Sequence, residues 1–135
     1  MSIAVVDAAT VVDLICNFPA AEPFSGALGS ADAVAVPAHL DAEVLSALGR
    51  LRRAGHGTRA AERVEALAAF GATRWPLRPL LLPAWALVDR IAVRDALYVA
   101  LAVSLDAVLI TTDGRLRRGA AGIVTVAEPD AEMPG

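Results

Sequence analysis

The sequence predicts an α/β protein whose central parallel sheet is covered by helices on both faces. Short, uniformly apolar segments at residues 3–6, 34–36 and 108–110 are typical of strands that are buried on both sides. Longer stretches with helical periodicity separate these segments along the chain. This order of elements favours parallel strands joined by helical crossovers, as in layered α/β folds.

The composition favours one globular domain without a membrane segment. The chain has 135 residues, of which 56% are hydrophobic and only 4% aromatic, so Ala, Val and Leu must form most of the core. No apolar run is long enough to span a bilayer, and the first residues lack the basic start of a signal peptide. Because the single Cys16 cannot form an internal disulfide, we expect a cytoplasmic protein.

In the first half of the chain, strands and helices alternate. The predicted elements are a strand at residues 3–6, helices at 7–16 and 20–28, a strand at 34–36 and a helix at 38–53. The last helix has the clearest pattern, because Leu40, Val44 and Leu48 recur at helical spacing. Glu43 lies beside this apolar stripe.

The second half continues the same alternation. The predicted elements are a helix at residues 58–70, a strand at 73–77, helices at 79–88 and 92–105, a strand at 108–110, a helical turn at 113–118 and a strand at 123–126. Thr58 is expected to cap its helix. Pro76 restricts its strand to an edge of the sheet. We expect residues 1–126 to form the domain and residues 127–135 to be a flexible tail.

Four carboxylates form the candidate site: Asp7, Glu43, Asp95 and Asp113. Asp7 and Asp113 follow predicted buried strands, and ligands of parallel sheets bind beyond the carboxyl ends of the strands. Asp95 opens a very apolar helix, where an unpaired charge is costly. Oxygen ligands without His or Cys suit Mg²⁺, or Mn²⁺ in its place. We therefore expect the four side chains to meet at one rim of the sheet and to share a divalent metal ion.

Each of these acids also has an ordinary structural interpretation. The first could cap the helix that follows it, and the Glu could be a solvated residue in a first helical turn. The third could pair with Arg94 or Arg90, and the last precedes Gly114 as in a common turn. Asp13 and Asp41 are expected to be solvated helix positions. The prediction of a site therefore depends on the convergence of the four acids.

Four segments of the chain combine into a recognisable set of motifs. They are Val5-Val6-Asp7-Ala8, Glu43-Val44-Leu45-Ser46-Ala47-Leu48, Arg94-Asp95-Ala96-Leu97-Tyr98-Val99-Ala100-Leu101-Ala102 and Leu109-Ile110-Thr111-Thr112-Asp113-Gly114-Arg115-Leu116. Together they resemble the PIN-domain family and, more narrowly, the VapC-type toxins of bacterial type II toxin–antitoxin modules. The resemblance covers nearly the whole chain.

This resemblance implies a three-layer, ribonuclease H-like α/β/α sandwich with a central parallel sheet. It also implies Mg²⁺-dependent endoribonuclease activity, with Asp7, Glu43, Asp95 and Asp113 as catalytic and metal-binding residues. Its partners would be RNA, a second copy of the chain in a homodimer, and a cognate antitoxin that covers the groove. In one departure, many relatives have Ser or Thr two residues after the first Asp, whereas this chain has Ala9 there.

The chain has two arginine clusters, of which the second adjoins Asp113 and could therefore contact RNA phosphates. The first consists of Arg50, Arg52 and Arg53, and the second of Arg115, Arg117 and Arg118. Both could equally be solvated faces. With a net charge of −3 and a pI near 5.3, the chain is unsuited to holding nucleic acid by phosphate contacts alone.

Other functions of acid-rich α/β folds fit the sequence less well. Receiver domains and haloacid-dehalogenase-like phosphatases also place acids at strand ends, but both depend on a lysine, and the chain has none. Dinucleotide binding is disfavoured because no glycine-rich turn follows the first strand. A binding or scaffold module with a PIN-like fold and no nuclease activity is the alternative to an endoribonuclease.

Overall fold

A four-stranded parallel sheet forms the centre of the protein in the computed structural model, which describes residues 1–134. The strands are β1 (Ile3–Val6), β2 (Ala33–Pro37), β3 (Thr73–Trp75) and β4 (Val108–Ile110). Their order across the sheet is β3-β2-β1-β4, and each neighbouring pair is parallel. The predicted α/β sandwich is therefore confirmed, and β3 lies at an edge as expected, although it ends at Trp75, before Pro76.

Seven helices flank the sheet. They are α1 (Ala8–Ile15), α2 (Ser25–Ser30), α3 (Leu40–Arg53), α4 (Ala60–Ala68), α5 (Leu81–Trp85), α6 (Val93–Leu105) and α7 (Gly114–Ala120), with 3₁₀ turns at Pro19–Phe24 and Arg78–Leu80. Helices α1, α3 and α4 contact one another, whereas α5 packs on α6. Within residues 1–134, every helix is too short or too polar to cross a lipid bilayer.

Helix α6 is the most deeply buried helix of the fold. All residues from 96 to 102 are buried, and Tyr98 and Leu101 are among the largest fully buried side chains. A helix that is apolar around its whole circumference must be covered on all sides, and α6 lies between α5 and strands β1, β2 and β4. Asp95 therefore lies at the point where this buried helix meets the surface.

The order of the strands creates a crevice at the carboxyl ends of β1 and β4. These two strands are neighbours, with Val6 paired to Ile110. The chain leaves β1 towards β2 on one side, whereas β4 lies on the other side. Such a reversal of strand order is where open α/β sheets bind ligands. Asp7 follows β1 directly, and Asp113 lies in the turn after β4, so both belong to this crevice.

The prediction of a strand at residues 123–126 is wrong. Leu109 forms one isolated parallel bridge with Val126: its N–H donates to the Thr125 carbonyl at 2.9 Å, and its carbonyl accepts from the Ala127 N–H at 2.8 Å. Because β4 is only three residues long, the returning segment cannot form a longer ladder of backbone hydrogen bonds with it. The segment therefore runs beside the edge of the sheet without becoming a strand.

Two predicted helices have different forms in the structure. The helix expected at residues 20–28 is a 3₁₀ turn followed by α2, because Pro23 lies inside the first part and has no N–H to donate. The helix expected at residues 79–88 begins as a 3₁₀ turn and ends at Trp85. Thr58 does not cap α4. The residue before this helix is Arg59, whose backbone is left-handed with a φ of 60°.

The domain boundary at residue 126 and the flexibility of the segment after it stay predictions. Ala127 is buried in the core. The N–H of Asp130 donates to the carbonyl of Pro23 at 2.7 Å, and the N–H of Met133 donates to Ser30 Oγ at 3.0 Å. These contacts place Asp130 against the 3₁₀ turn and Met133 against α2. Gly135 lies outside the described residues.

Gly119 allows α7 to approach the segment that precedes α6. A Cβ atom at this residue would lie 2.9 Å from Cγ1 of the buried Ile91. We expect Gly119→Ala to lower the free energy of unfolding by about 1–3 kcal/mol, because Ile91 has little room to move. Gly29→Ala is the matched control, since its Cβ would meet nothing within 4 Å, and it should be neutral or stabilising. Equal effects of the two substitutions in urea unfolding would contradict this packing argument.

Candidate functional site

The four acids singled out from the sequence line one cleft at the carboxyl edge of the sheet. The cleft has a volume of about 770 Å³. Asp7 follows β1, Glu43 projects from α3, Asp95 lies in the first turn of α6, and Asp113 caps α7. The expected convergence of residues far apart in the sequence is therefore present in the fold.

Asp7 is the most deeply buried of these acids, with only 3% of its surface exposed. Its Oδ1 accepts hydrogen bonds from the N–H and the hydroxyl of Thr10, and its Oδ2 accepts one from the Thr111 hydroxyl at 3.0 Å. Burial raises the pKa of Asp7 to about 6, although the hydrogen bonds from Thr10 and Thr111 oppose this shift. A charged group in this position calls for a compensating cation.

Threonine hydroxyls connect the end of β1 to the turn after β4. Thr10 Oγ1 accepts a hydrogen bond from the N–H of Thr112 at 2.9 Å, and Thr111 Oγ1 accepts one from the N–H of Asp113 at 3.0 Å. The Thr112 hydroxyl donates to Asp13 Oδ2 at 2.8 Å. Asp13, expected to be a solvated helix position, is instead a fifth acid that lines the cleft.

Glu43 is held by two neighbours that the sequence did not single out. The Tyr98 hydroxyl donates to Glu43 Oε1 at 2.7 Å, and His39 Nε2 lies 3.1 Å from the same oxygen. His39 Nε2 is also 3.0 Å from the Arg94 carbonyl, and because both partners are acceptors this nitrogen carries a hydrogen. Burial alone would raise the pKa of Glu43, but the hydrogen bonds from His39 and Tyr98 and the nearby charge of Arg94 together outweigh burial, so the pKa is lowered.

The sequence contained a local signal for only one of these two neighbours. His39 and Glu43 are four residues apart at the start of α3, and this spacing places two side chains on the same face of a helix. Tyr98 had no such signal, since its contact with Glu43 joins two helices that are distant in the sequence. Burial raises the pKa of Tyr98 above its ordinary value, and the hydrogen bond to Glu43 raises it further.

Asp95 lies at the electrostatic centre of the acidic group. Burial raises its pKa, and the charges of Asp113 and Glu43 raise it further. The charge of Asp95 in turn adds to the raised pKa of Asp7. Each of the other three acids is thus close enough to Asp95 for their charges to interact unfavourably.

The two arginine clusters lie differently with respect to the cleft. Arg50, from the first cluster, lines the cleft, whereas no member of the second cluster does. Arg117 lies over the ring of Phe24 and donates to the carbonyl of Thr111 at 3.3 Å. Arg115 is exposed, and its backbone N–H donates a hydrogen bond to Asp113 Oδ1 at 2.9 Å.

The chemistry and charge of the acidic group suit a hard divalent cation. Carboxylate oxygens are the ligands that Mg²⁺ and Mn²⁺ prefer, and a cation would offset the burial and repulsion that raise the pKa values of Asp7 and Asp95. Within residues 1–134, no three His, Cys, Asp or Glu side chains are arranged to bind one ion together. Mg²⁺ commonly binds through one or two carboxylates and keeps several waters. The donors therefore fit an open, hydrated ion better than a closed protein cage.

Comparison with known proteins identifies the family. Residues 4–122 match the sequence profile of the PIN domain. The chain belongs to the PIN-domain family. The recognisable motifs of the sequence, the parallel sheet and the acidic cleft are thus features of one PIN domain that extends over most of the chain.

Two curated relatives of this PIN domain are named as ribonucleases. Ribonuclease VapC3 of Mycobacterium tuberculosis is 45% identical over 116 residues, which cover 84% of this chain and 85% of the relative. Ribonuclease VapC12 of the same organism is 35% identical over 114 residues, which cover 83% of this chain and 88% of the relative. The similarity therefore extends over most of both chains in each pair.

Solved structures share the fold of this PIN domain at lower sequence identity. PAE2754 from Pyrobaculum aerophilum has a TM-score of 0.68 at 21% identity and covers 93% of this chain and 84% of its own. VapBC2 from Rickettsia felis, bound to a DNA fragment from its promoter, has a TM-score of 0.67 at 13% identity, and a toxin–antitoxin complex from Klebsiella pneumoniae has 0.64 at 18%. Each of these two covers 93% of this chain and 97% of its own.

The burial of Asp7 predicts a specific dependence of stability on pH. Its pKa in the folded state, about 6, lies above the ordinary value of 3.8, so the protonated form stabilises the fold at low pH and this contribution is lost as the pH rises through 6. Asp7→Asn removes the titration. In EDTA, the free energy of unfolding of the wild type relative to Asp7→Asn should fall by about 3 kcal/mol between pH 3.5 and pH 7. Parallel pH profiles of the two proteins would show that Asp7 does not titrate in this way.

Proposed function

We propose that this PIN-domain protein is a divalent-metal-dependent endoribonuclease and the toxin of a type II toxin–antitoxin module. The observation that carries the proposal is the gathering of Asp7, Glu43, Asp95 and Asp113 around one cleft of the fold. The names of the VapC relatives support RNA as the substrate, since one of them is 45% identical over most of the chain. The reaction would be hydrolysis of an RNA phosphodiester bond.

The proposed metal is Mg²⁺, with Mn²⁺ able to replace it. One or two of the carboxylates of Asp7, Asp95 and Asp113 would hold the ion directly and the others through its bound waters, with Glu43 beside them on the wall of the cleft. When bound, a divalent ion supplies positive charge that stabilises the developing charge on a scissile phosphate and lowers the pKa of water. The acidic cleft could otherwise not accept a phosphate, because both carry negative charge.

Asp95 is the best candidate for the residue that accepts a proton from the attacking water. Its carboxylate lines the cleft and lies close enough to Glu43 and Asp113 to interact with both charges, so it stands among the acids that would surround a bound water. Asp113 was the other candidate, but its Oδ1 already accepts the N–H groups of Arg115 and Leu116 at the start of α7. We therefore assign the proton acceptor to Asp95 and an orienting role to Asp113.

Asp7 and Glu43 would keep fixed positions during the reaction. Both oxygens of Asp7 accept hydrogen bonds from threonine hydroxyls, so the carboxylate cannot rotate freely. Glu43 is restrained by Tyr98 and His39 and stays ionised because its pKa is lowered. Fixed negative charge at both positions would orient a cation before RNA binds, which lowers the cost of reorganisation in the reaction.

The proposed protein partners are a cognate antitoxin and a second copy of the chain. Two structures with the same fold are described as a toxin–antitoxin complex and as VapBC2, and the proposal extends an antitoxin partner to this chain. Helix α5 has an apolar surface that would suit such contacts, since Leu81, Leu82 and Trp85 are exposed. The antitoxin would silence the protein by covering the cleft.

Loss of the proposed proton acceptor gives a direct test of the nuclease. We expect Asp95→Asn to lower the rate of RNA cleavage in Mg²⁺ by at least about 100-fold, because general bases contribute this much or more. Asp89→Asn is the matched control, since Asp89 is exposed and lies outside the cleft. The measurement is cleavage of total bacterial RNA under single-turnover conditions, with and without EDTA.

Two outcomes would contradict the proposed function. Cleavage that persists in EDTA would exclude a divalent ion from the reaction. An absence of cleavage by the wild type in Mg²⁺ and Mn²⁺ would favour the alternative of a PIN-like binding module. Wild-type rates in Asp95→Asn would remove Asp95 from the mechanism while leaving the other acids as candidates.

A further inference from the structure

Arg50 is set apart from the other two arginines of its cluster. Its side chain is exposed and lines the acidic cleft, whereas Arg52 and Arg53 are exposed on the same helix but do not line it. Within residues 1–134, Arg50 forms no salt bridge. An unpaired guanidinium in a cleft that is rich in carboxylates is available to a ligand.

The position of Arg50 along α3 relates it directly to Glu43. The two residues are seven positions apart, which is almost two full turns, so they lie on the same face about 10 Å apart along the axis. Between them, Ser46 and Ala47 line the cleft. Because these side chains are small, the wall of the cleft is open from Glu43 to Arg50.

The charges of the cleft explain why the position of Arg50, away from the acids, is important for binding a nucleic-acid strand. Five carboxylates line the cleft, but only two arginines, Arg50 and Arg94, do so. Arg94 Nε already lies 3.9 Å from Glu43 Oε2. A metal ion among the acids would neutralise the phosphate that it binds, but the next phosphates of the strand would still meet a negative potential. Arg50 lies beyond the acids along α3, where its positive charge would offset the negative charge of the next phosphate.

We propose that Arg50 binds a phosphate of the RNA strand next to the one that is cleaved, and thereby directs the strand along α3. This inference rests on the proposed ribonuclease function. A guanidinium suits the role because it can donate two parallel hydrogen bonds to phosphate oxygens. A carboxylate of a protein partner is the other chemical match, but an RNA strand explains in addition why the open wall leads from Arg50 to the acids.

The test compares the removal of one positive charge at Arg50 with the removal of one at Arg52 on the same helix. RNA binding is measured by fluorescence anisotropy with a labelled single-stranded RNA 20-mer and with total tRNA, in Mg²⁺, on the Asp95→Asn background, which keeps Asp7 and slows cleavage so that the RNA stays intact. Arg50→Gln should weaken binding of both RNAs about tenfold and reduce the slope of log Kd against log salt by about one. Arg50→Lys should keep most of the salt dependence, and the control Arg52→Gln should keep both affinity and slope.

Cleavage kinetics without the Asp95→Asn change provide a second readout. Arg50→Gln should raise KM with little change in kcat, because a phosphate away from the reacting bond is bound equally in the ground state and the transition state. If Arg50→Gln and Arg52→Gln weaken RNA binding equally while the wild type still cleaves RNA, the assignment of Arg50 is wrong and the nuclease proposal stands. If the wild type neither binds nor cleaves RNA, both proposals fail. Unchanged RNA affinity in Arg50→Gln would overturn the phosphate contact and favour a protein carboxylate as its partner.

Discussion

Repulsion among carboxylates at the carboxyl edge of the sheet constrains the whole site. Asp7 is buried, Asp95 is half-buried, and the charges of their acidic neighbours make ionisation of both less favourable. A fold that only needed stability would gain by replacing these residues with apolar ones. Their presence together is explained if a cation shares the cleft. The negative charge, the proposed metal and the need for an arginine farther along the groove all follow from this one arrangement.

The fold holds these acids together by strand pairing, helix packing and threonine hydroxyls. Adjacent strands β1 and β4 bring their carboxyl ends together, and the hydroxyls of Thr10 and Thr111 connect the two ends. The hydroxyl on the first helix comes from Thr10, since the neighbouring Ala9 has none. The buried helix α6 fixes the position of Asp95, because its apolar residues pack against both the sheet and α5. The acids can therefore remain close even though they repel one another.

The parts of the structure that the sequence could predict are those with local patterns. Apolar segments and helical periodicity identified the strands and helices, and acids directly after strands indicated where the site would lie. The contacts between Tyr98 and Glu43, and between Thr112 and Asp13, depend on which elements pack together, so no pattern within one element could reveal them. The returning segment at residues 123–126 was mistaken for a strand because its apolar pattern does not record how short its neighbour β4 is.

The proposed function depends most on a divalent cation held in the cleft between Asp7 and Asp95. Crystals of the whole chain soaked in Mn²⁺ and measured near the manganese absorption edge would test this binding directly. We expect an anomalous peak in the cleft within bonding distance of one or both carboxylates, and its loss in Asp7→Asn crystals grown in the same form. A cleft without manganese at concentrations that support RNA cleavage, or a peak bound only to surface acids elsewhere, would contradict it.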